Sequence, residues 1–460
     1  MRASYIASRR VPVAAIALFA AALLLAAAAP GALADQTAAW VGTDEQIYLC
    51  AGECQEPLCV TCPIRGLNVR ESGAIVSVVL SPSQLMPPGL MPPQFAPPPK
   101  RNPSVYNWPT FSPDGKLIAY TSTKRIPGGE SFSLWIFDIG KRQATQIFES
   151  RSENVIYLYW LADSSRLSFL LNLQGSLTLM LAEVREGAPM RIVTTGSPLY
   201  YHWKRTRDAL ALHTMSLSPD KTEQVALMSF SDTDQQVEKV LSRGRTPFKT
   251  PCWSPDGTRL AYIARNYSQA NLVVADPDAK EPRSLVNLPV GENSFVWSPD
   301  SRYIAYSTAI APREPVMNGI KIVNVADGKS RRLTAESVVA WFFAPDSRHL
   351  LYVASPSARP YYTWKLVDLD TGTVRELTNF LTTELEAIAY RYFEQLSLSH
   401  TIWSSDSRSF IYAGAPIARS PGQPPALAPA PTVFIMPIDG GKPRILGAGT
   451  LAFFSPAPAN

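Results

Sequence analysis

Three stretches of the chain are near copies of one another: FSPDGKLIAY (residues 111–120), WSPDGTRLAY (253–262) and WSPDSRYIAY (297–306). Self-similarity of this kind dictates an array of like units before any other reading is attempted. Two weaker copies, FAPDSRHLLY and WSSDSRSFIY, begin at Phe343 and Trp403. WLADSSRLSF from Trp160 and WKRTRDALAL from Trp203 are degenerate but keep the frame, and the chain ends on a fragment with Phe454 at the aromatic position. Successive aromatic landmarks fall 43 to 60 residues apart, the period of a four-stranded propeller blade, ~40–50 residues.

The chemistry of the unit is local. An apolar strand ends in the aromatic residue, Pro pre-sets φ in the turn, Asp bonds turn N–H groups, and Gly or Ser follows where the chain reverses. The next run, such as L-I-A-Y, is short and continuously apolar, as in a strand buried on both faces. Asp114, Asp256, Asp300, Asp346 and Asp406 are therefore expected to be structural turn residues. A second hairpin follows each landmark, for example residues 133–148, 319–334, 363–378 and 433–447, each with an Asp/Gly-rich turn between β-rich runs.

At 460 residues the chain exceeds the size of one ordinary core, roughly 250–300 residues. A repeat array resolves this, since each unit packs only on its neighbours. The expected fold is all-β: a β-propeller of eight four-stranded blades, or seven if a degenerate unit is misread. Residues 38–41, 46–50 and 58–62 resemble strands two to four of a blade lacking its first, and residues 451–455 a first strand lacking the rest. The C-terminal strand is expected to complete the N-terminal blade, which removes exposed sheet edges.

In these S-P-D-G units the chain resembles the TolB-like family, whose repeat is the PD40 variant of the WD40-like blade. The resemblance runs from about residue 38 to 457 and implies a propeller with a protein-binding role at the cell envelope. The family's namesake has six blades and an added α/β domain; nothing here reads as that domain.

The first 34 residues precede the repeats. Arg2, Arg9 and Arg10 lead into an apolar run over residues 11–29, then Pro30-Gly31 and the small-x-small pattern Ala32-Leu33-Ala34. This is a signal peptide, or an uncleaved anchor, since 19 residues can just span a bilayer. Either way the body, a single domain over 35–460, is expected to be extracytoplasmic: periplasmic, cell-surface or secreted. Without those arginines the formal charge of +5 falls to about +2, with no basic runs. That argues against nucleic acid as a partner.

Three segments are not blade. Residues 81–103 and 415–431 are proline-rich and expected to be extended loops, either spacers or docking segments. Within 379–400, Leu385, Ile388, Ala389, Tyr392, Phe393 and Leu396 recur at helical spacing, and Thr383 with Glu386 fits a capping box. This helical insertion is expected to pack on the propeller face; a lid is the alternative.

Cys50, Cys54, Cys59 and Cys62 lie within thirteen residues. In an exported protein they are disulfide candidates, with Cys50–Cys59 and Cys54–Cys62 the favoured pairing and a zinc site the alternative. Cys252 beside Trp253 is expected to be a buried free thiol. His202, His213, His349 and His400 share no metal-ligand spacing, and there is no H-E-x-x-H or G-x-S-x-G motif. Glu384 and Glu386 lack a nucleophile to serve. No catalytic, cofactor or metal residue is therefore assigned. The expected function is a monomeric, non-enzymatic protein-binding or envelope-associated scaffold, against a channel enzyme of lyase or glycosidase type or a ligand sensor.

Overall fold

The computed structural model describes residues 36–52, 56–62, 104–185, 188–206, 208–215, 222–230, 236–244, 249–265, 268–311, 316–356, 361–417 and 430–456. The expected leader over 1–34, the expected loop over 81–103, Cys54 and most of the expected loop over 415–431 fall outside the described residues. The molecule is mostly β and is a β-propeller. Among the described residues its strands form five four-stranded sheets and one ten-stranded sheet, each sheet antiparallel throughout and almost entirely in sequence order.

The period-long hairpins of the sequence are the sheets. In one, Ser104–Phe111, Leu117–Ile126, Gly129–Asp138 and Gln143–Ser150 follow one another outward. The ten-stranded sheet arises because Val374–Leu381 pairs at its end with Ser409–Pro416 and because Ser330–Phe343 is one unbroken strand. Its first half pairs with Met317–Asn324 and its second half with His349–Ala354. One strand thus closes one repeat and opens the next.

The N-terminal sheet has the order Leu58–Cys59, Ile47–Ala51, Thr37–Val41, Leu451–Phe454. The C-terminal strand pairs with the first one, Ala38 opposite Phe454 and Val41 opposite Leu451. The expected interlock of the chain ends is present.

Apolar clusters lie between consecutive sheets. Ala39, Ile47, Phe111, Ile118 and Phe137 join the N-terminal sheet to its successor, and Ala119, Leu134, Trp160, Leu167 and Phe169 join that one to the next. The landmark tryptophans fix their indole N–H across these seams. Trp160 Nε1 donates to Thr110 O (2.9 Å), Trp297 Nε1 to Cys252 O (3.3 Å) and Trp403 Nε1 to Phe342 O (3.2 Å). A buried indole usually finds an acceptor, and for these three the backbone of the preceding innermost strand supplies it.

The turns form a second ladder. Ser112, Ser254, Ser298 and Ser404 donate their hydroxyls to Asp114, Asp256, Asp300 and Asp406 two residues on. The residue after each turn Asp has left-handed backbone: Gly115 (φ 69), Gly257 (φ 72), Ser301 (φ 60), Ser347 (φ 57) and Ser407 (φ 60). Where that residue is Ser, its hydroxyl accepts the Asp N–H of the preceding unit: Asp114 to Ser164, Asp256 to Ser301, Asp300 to Ser347 and Asp346 to Ser407, at 2.9–3.1 Å. At the chain ends Gln36 takes over. Its Oε1 accepts from Ser405 N (3.0 Å) and its Nε2 donates to Ser455 O (2.7 Å).

Candidate functional site

The insertion folds as two short helices, α1 (Glu384–Arg391) and α2 (Phe393–Leu396). Thr383 caps α1 by accepting from Glu386 N at 3.1 Å. The reciprocal half of the expected capping box is absent, because the Glu386 carboxylate turns inward and accepts from Ala413 N (2.9 Å). The apolar stripe also needs correction: Tyr392 is exposed, while Glu386, Tyr390 and Gln395 are buried. The cause is a break at Tyr392, which caps the C-terminus of α1 and the N-terminus of α2 and resets the helical register.

This break aims α2 at the innermost strands of several sheets at once. Gln395 Nε2 donates to Tyr201 O (2.9 Å), and its Oε1 accepts from Thr250 Oγ1 (2.8 Å) and Tyr201 N (3.3 Å). Tyr157 Oη donates to Gln395 O (2.9 Å). Lys249 Nζ donates to Glu394 Oε1 (3.0 Å) and Ser294 Oγ (2.9 Å). Phe393 packs on Trp341 with ring centroids 4.5 Å apart, and His400 Nε2 meets Thr110 Oγ1 at 2.9 Å. The insertion therefore packs on the propeller as expected, and it does so over the axis, where inner strands converge.

Beneath it lies a cavity of about 510 Å³. Its walls are innermost-strand residues: Trp160, Trp203, Trp253, Trp297 and Trp403 with Tyr159, Phe295 and Phe343. Glu394, Ser397 and Leu398 of the insertion form one end, and Pro113, Arg205, Pro255 and Pro299 of the repeat turns form the other. It is a funnel with an aromatic wall and a floor made by the insertion.

The titratable groups around it are held in specific states. Burial lowers His202 to about 4 and His400 to about 3. His202 Nδ1 accepts from Trp253 N (3.1 Å), and His400 Nδ1 meets Ser399 Oγ at 2.7 Å. Burial raises the Glu394 carboxyl, opposed by the Lys249 ammonium, and raises the Cys252 thiol far above its ordinary range. Cys252 is the buried free thiol expected, in Cys252–Trp253.

The other predicted residues lie elsewhere. His213 is buried, bonded through Nδ1 to Lys249 N (3.1 Å) and lowered by burial to about 4. His349 pairs with Asp346 Oδ2 at 2.7 Å in a repeat turn. Glu384 is exposed at the start of α1. Among the described residues, no group of three or more His, Cys, Asp or Glu is arranged to hold a metal ion. The favoured cysteine pairing is corrected: Cys59 is bonded to Cys62, with Cα atoms 5.5 Å apart, and Cys50 is itself disulfide-bonded. The register explains it, because Cys59 faces Tyr48 across the ladder, while Cys50 faces Ala38. Sequence reasoning missed Glu394, Gln395 and Lys249. The only signal was two polar residues interrupting an apolar helical stripe.

No protein-family model matches the chain. Dipeptidyl-peptidase 5 of Porphyromonas endodontalis is 28% identical over 81 residues, 18% of this chain and 12% of that protein. The Tol-Pal system protein TolB of Thioalkalivibrio sulfidiphilus is 29% identical over 73 residues, 16% of this chain and 17% of TolB. The chain thus matches under a fifth of the length of these curated relatives. Among solved structures, a prolyl endopeptidase superposes with TM-score 0.50 and 12% identity over 78% of this chain and 50% of its own. TolB of Acinetobacter baumannii gives TM-score 0.38 and 16% identity over 74% and 83%. The chain is similar to TolB-like propellers, and the similarity is one of fold.

Proposed function

We propose that the chain is an exported, non-enzymatic TolB-like propeller that binds a protein or cell-envelope component, with the axial funnel as its recognition surface. In this reading residues 35–460 form one domain of eight blades, with the ten-stranded sheet counting as three, and residues 1–34 are the export signal or an anchor. The protein acts as a monomer outside the cytoplasm, in keeping with its likeness to TolB-like proteins.

The observation that carries the proposal is the commitment of the titratable groups beside the funnel. Both His400 nitrogens meet hydroxyls, the His202 Nδ1 accepts a backbone N–H, and Glu394 faces Lys249. The Cys252 thiol is held protonated by burial. General acid–base or nucleophilic catalysis needs a base beside a nucleophile, both within reach of substrate; this wall instead offers aromatic surface and hydrogen-bonded polar groups. Concave, largely apolar sites with a few fixed polar groups are typical of ligand recognition.

A crosslinking pull-down from the cell envelope tests the reading. The mature protein is expected to recover one stoichiometric partner, and Ser397→Trp, which fills the funnel floor, to lose it. Turnover of a polysaccharide or peptide by the pure protein would replace this reading with that of a channel enzyme.

A further inference from the structure

A second cavity, of about 370 Å³, lies on the seam between Arg283–Leu288 and the sheet that follows it. It shares no lining residue with the axial funnel. Tyr306, Lys321 and Arg332 line it from directly opposed positions on three neighbouring strands, Tyr306 against Lys321 and Lys321 against Arg332. Like charges facing each other across a ladder are destabilising. Among the described residues, neither Lys321 nor Arg332 has an acidic partner within ion-pair distance. Nearby cations are engaged: Lys329 with Asp327 (3.5 Å), Lys365 with Glu336 (2.8 Å), and Arg331 with the Leu369 carbonyl.

The backbone is shaped to bring these groups together. Six other pairings of a third with a fourth strand each carry one register shift, whereas that of Met317–Asn324 with Ser330–Phe343 carries two. The additional shift falls at Gly319, where φ is 70. A Cβ there would stand 2.3 Å from Thr334 O, so the position demands glycine. Ser307 Oγ pins the bulge by donating to Gly319 O at 2.6 Å. Residues three apart on a regular strand point to opposite faces. The bulge instead leaves Asn318 and Lys321 both exposed and both on the cavity, as bulges re-aim side chains beside functional sites. Val290 and Ile310, 49% and 54% exposed, border the same cavity. Among the described residues its one acid is Glu292, which precedes the innermost strand Asn293–Trp297 and bears on the charge of Glu394 in α2.

We infer that this cavity is a site for an aliphatic carboxylate, with Arg332 and Lys321 holding the anion and Val290 and Ile310 meeting its apolar chain. A guanidinium fork matches a carboxylate with two parallel hydrogen bonds, a lysine adds a point charge, and the Asn318 amide offers a further donor. Glu292 on the same lining disfavours a doubly charged phosphate. The volume is at the small end for ligand sites, enough for a small acid or one terminal residue. Two sources present that chemistry: a free aliphatic acid, and a peptide C-terminus ending in an apolar residue. The inference is independent of the funnel's role as a recognition surface.

Calorimetric titration of the full mature protein distinguishes them. N-acetylleucine stands for a peptide C-terminus, 4-methylpentanoate for a free acid, and N-acetylleucinamide is the neutral control. The better carboxylate is expected to bind about tenfold or more tightly than the amide, and which carboxylate wins identifies the source. Arg332→Gln and Lys321→Gln, both at exposed positions, are each expected to bring carboxylate affinity down toward that of the amide. Each is also expected to raise the melting temperature of the unliganded protein, because one of two opposed like charges is gone. Ile310→Ser is expected to weaken all three probes alike and to keep the carboxylate preference. Equal binding of carboxylate and amide, or an undiminished preference in both charge variants, overturns the site. Tighter binding of inorganic phosphate than of either carboxylate overturns the ligand class, and absence of binding by every probe overturns the inference altogether.

Discussion

Ser301 shows how one residue serves two opposed requirements. Its left-handed backbone costs an L-residue roughly 1–2 kcal/mol and would favour Gly, as at Gly257 in the preceding unit. Its hydroxyl recovers part of that cost by accepting Asp256 N–H across the seam at 3.1 Å, a bond worth about 1 kcal/mol. Ser301→Ala is therefore expected to destabilise the fold by about 1 kcal/mol, and Ser301→Gly to be close to neutral; denaturant titration separates the two. Equal losses would mean that the hydroxyl contributes nothing.

Titration at the residue scale runs in two directions. The Glu386 carboxyl is raised by burial to about 7, above its unfolded value, so the stability it contributes is present below about 4.5 and is lost as pH rises through 7. Glu386→Gln is expected to gain on the wild type between pH 5 and pH 8, by up to about 2–3 kcal/mol. The neutral His202, His213 and His400 act oppositely: their contribution is present above about 6.5 and is lost as pH falls toward 4. Three such groups outweigh the two raised carboxyls, Glu386 and Glu394. Wild-type melting temperature is expected to fall from pH 6.5 to pH 5, and a flat profile would contradict the buried state of these imidazoles.

At the scale of the element, α2 is held by side chains more than by its own hydrogen bonds. Four residues cannot stand as an isolated helix. Gln395 compensates by bonding Tyr201 N, Tyr201 O and Thr250, and each partner is a buried group that would otherwise go unpaired. Gln395→Leu is expected to cost about 2–3 kcal/mol and to raise hydrogen exchange over residues 392–398 first; exchange protection unchanged there would show that α2 is anchored elsewhere.

For the whole molecule, the vulnerable seam is the one where the chain ends meet. Leu451–Phe454 supplies the innermost strand of the N-terminal sheet, and Gln36 bonds both Ser405 and Ser455. Removing residues 450–460 would bare the edge of Thr37–Val41, and exposed edges recruit other chains. The truncated protein is expected to aggregate or to lose its single cooperative transition, as followed by light scattering and calorimetry. Unchanged cooperativity would mean that the N-terminal sheet does not depend on the tail.

The sequence by itself determined the strand–turn–strand period, the turn chemistry of Asp114 and its equivalents, and the pairing of the two chain ends. Each of these is written in residues that neighbour one another or that recur at a fixed interval. Only the tertiary structure decided that Gln395 would reach Tyr201, that Glu394 would border an aromatic cavity, and that Cys59 would bond Cys62. The first two depend on where inner strands separated by hundreds of residues converge, and on the helix break at Tyr392. The third depends on a ladder register, which cysteine spacing does not encode.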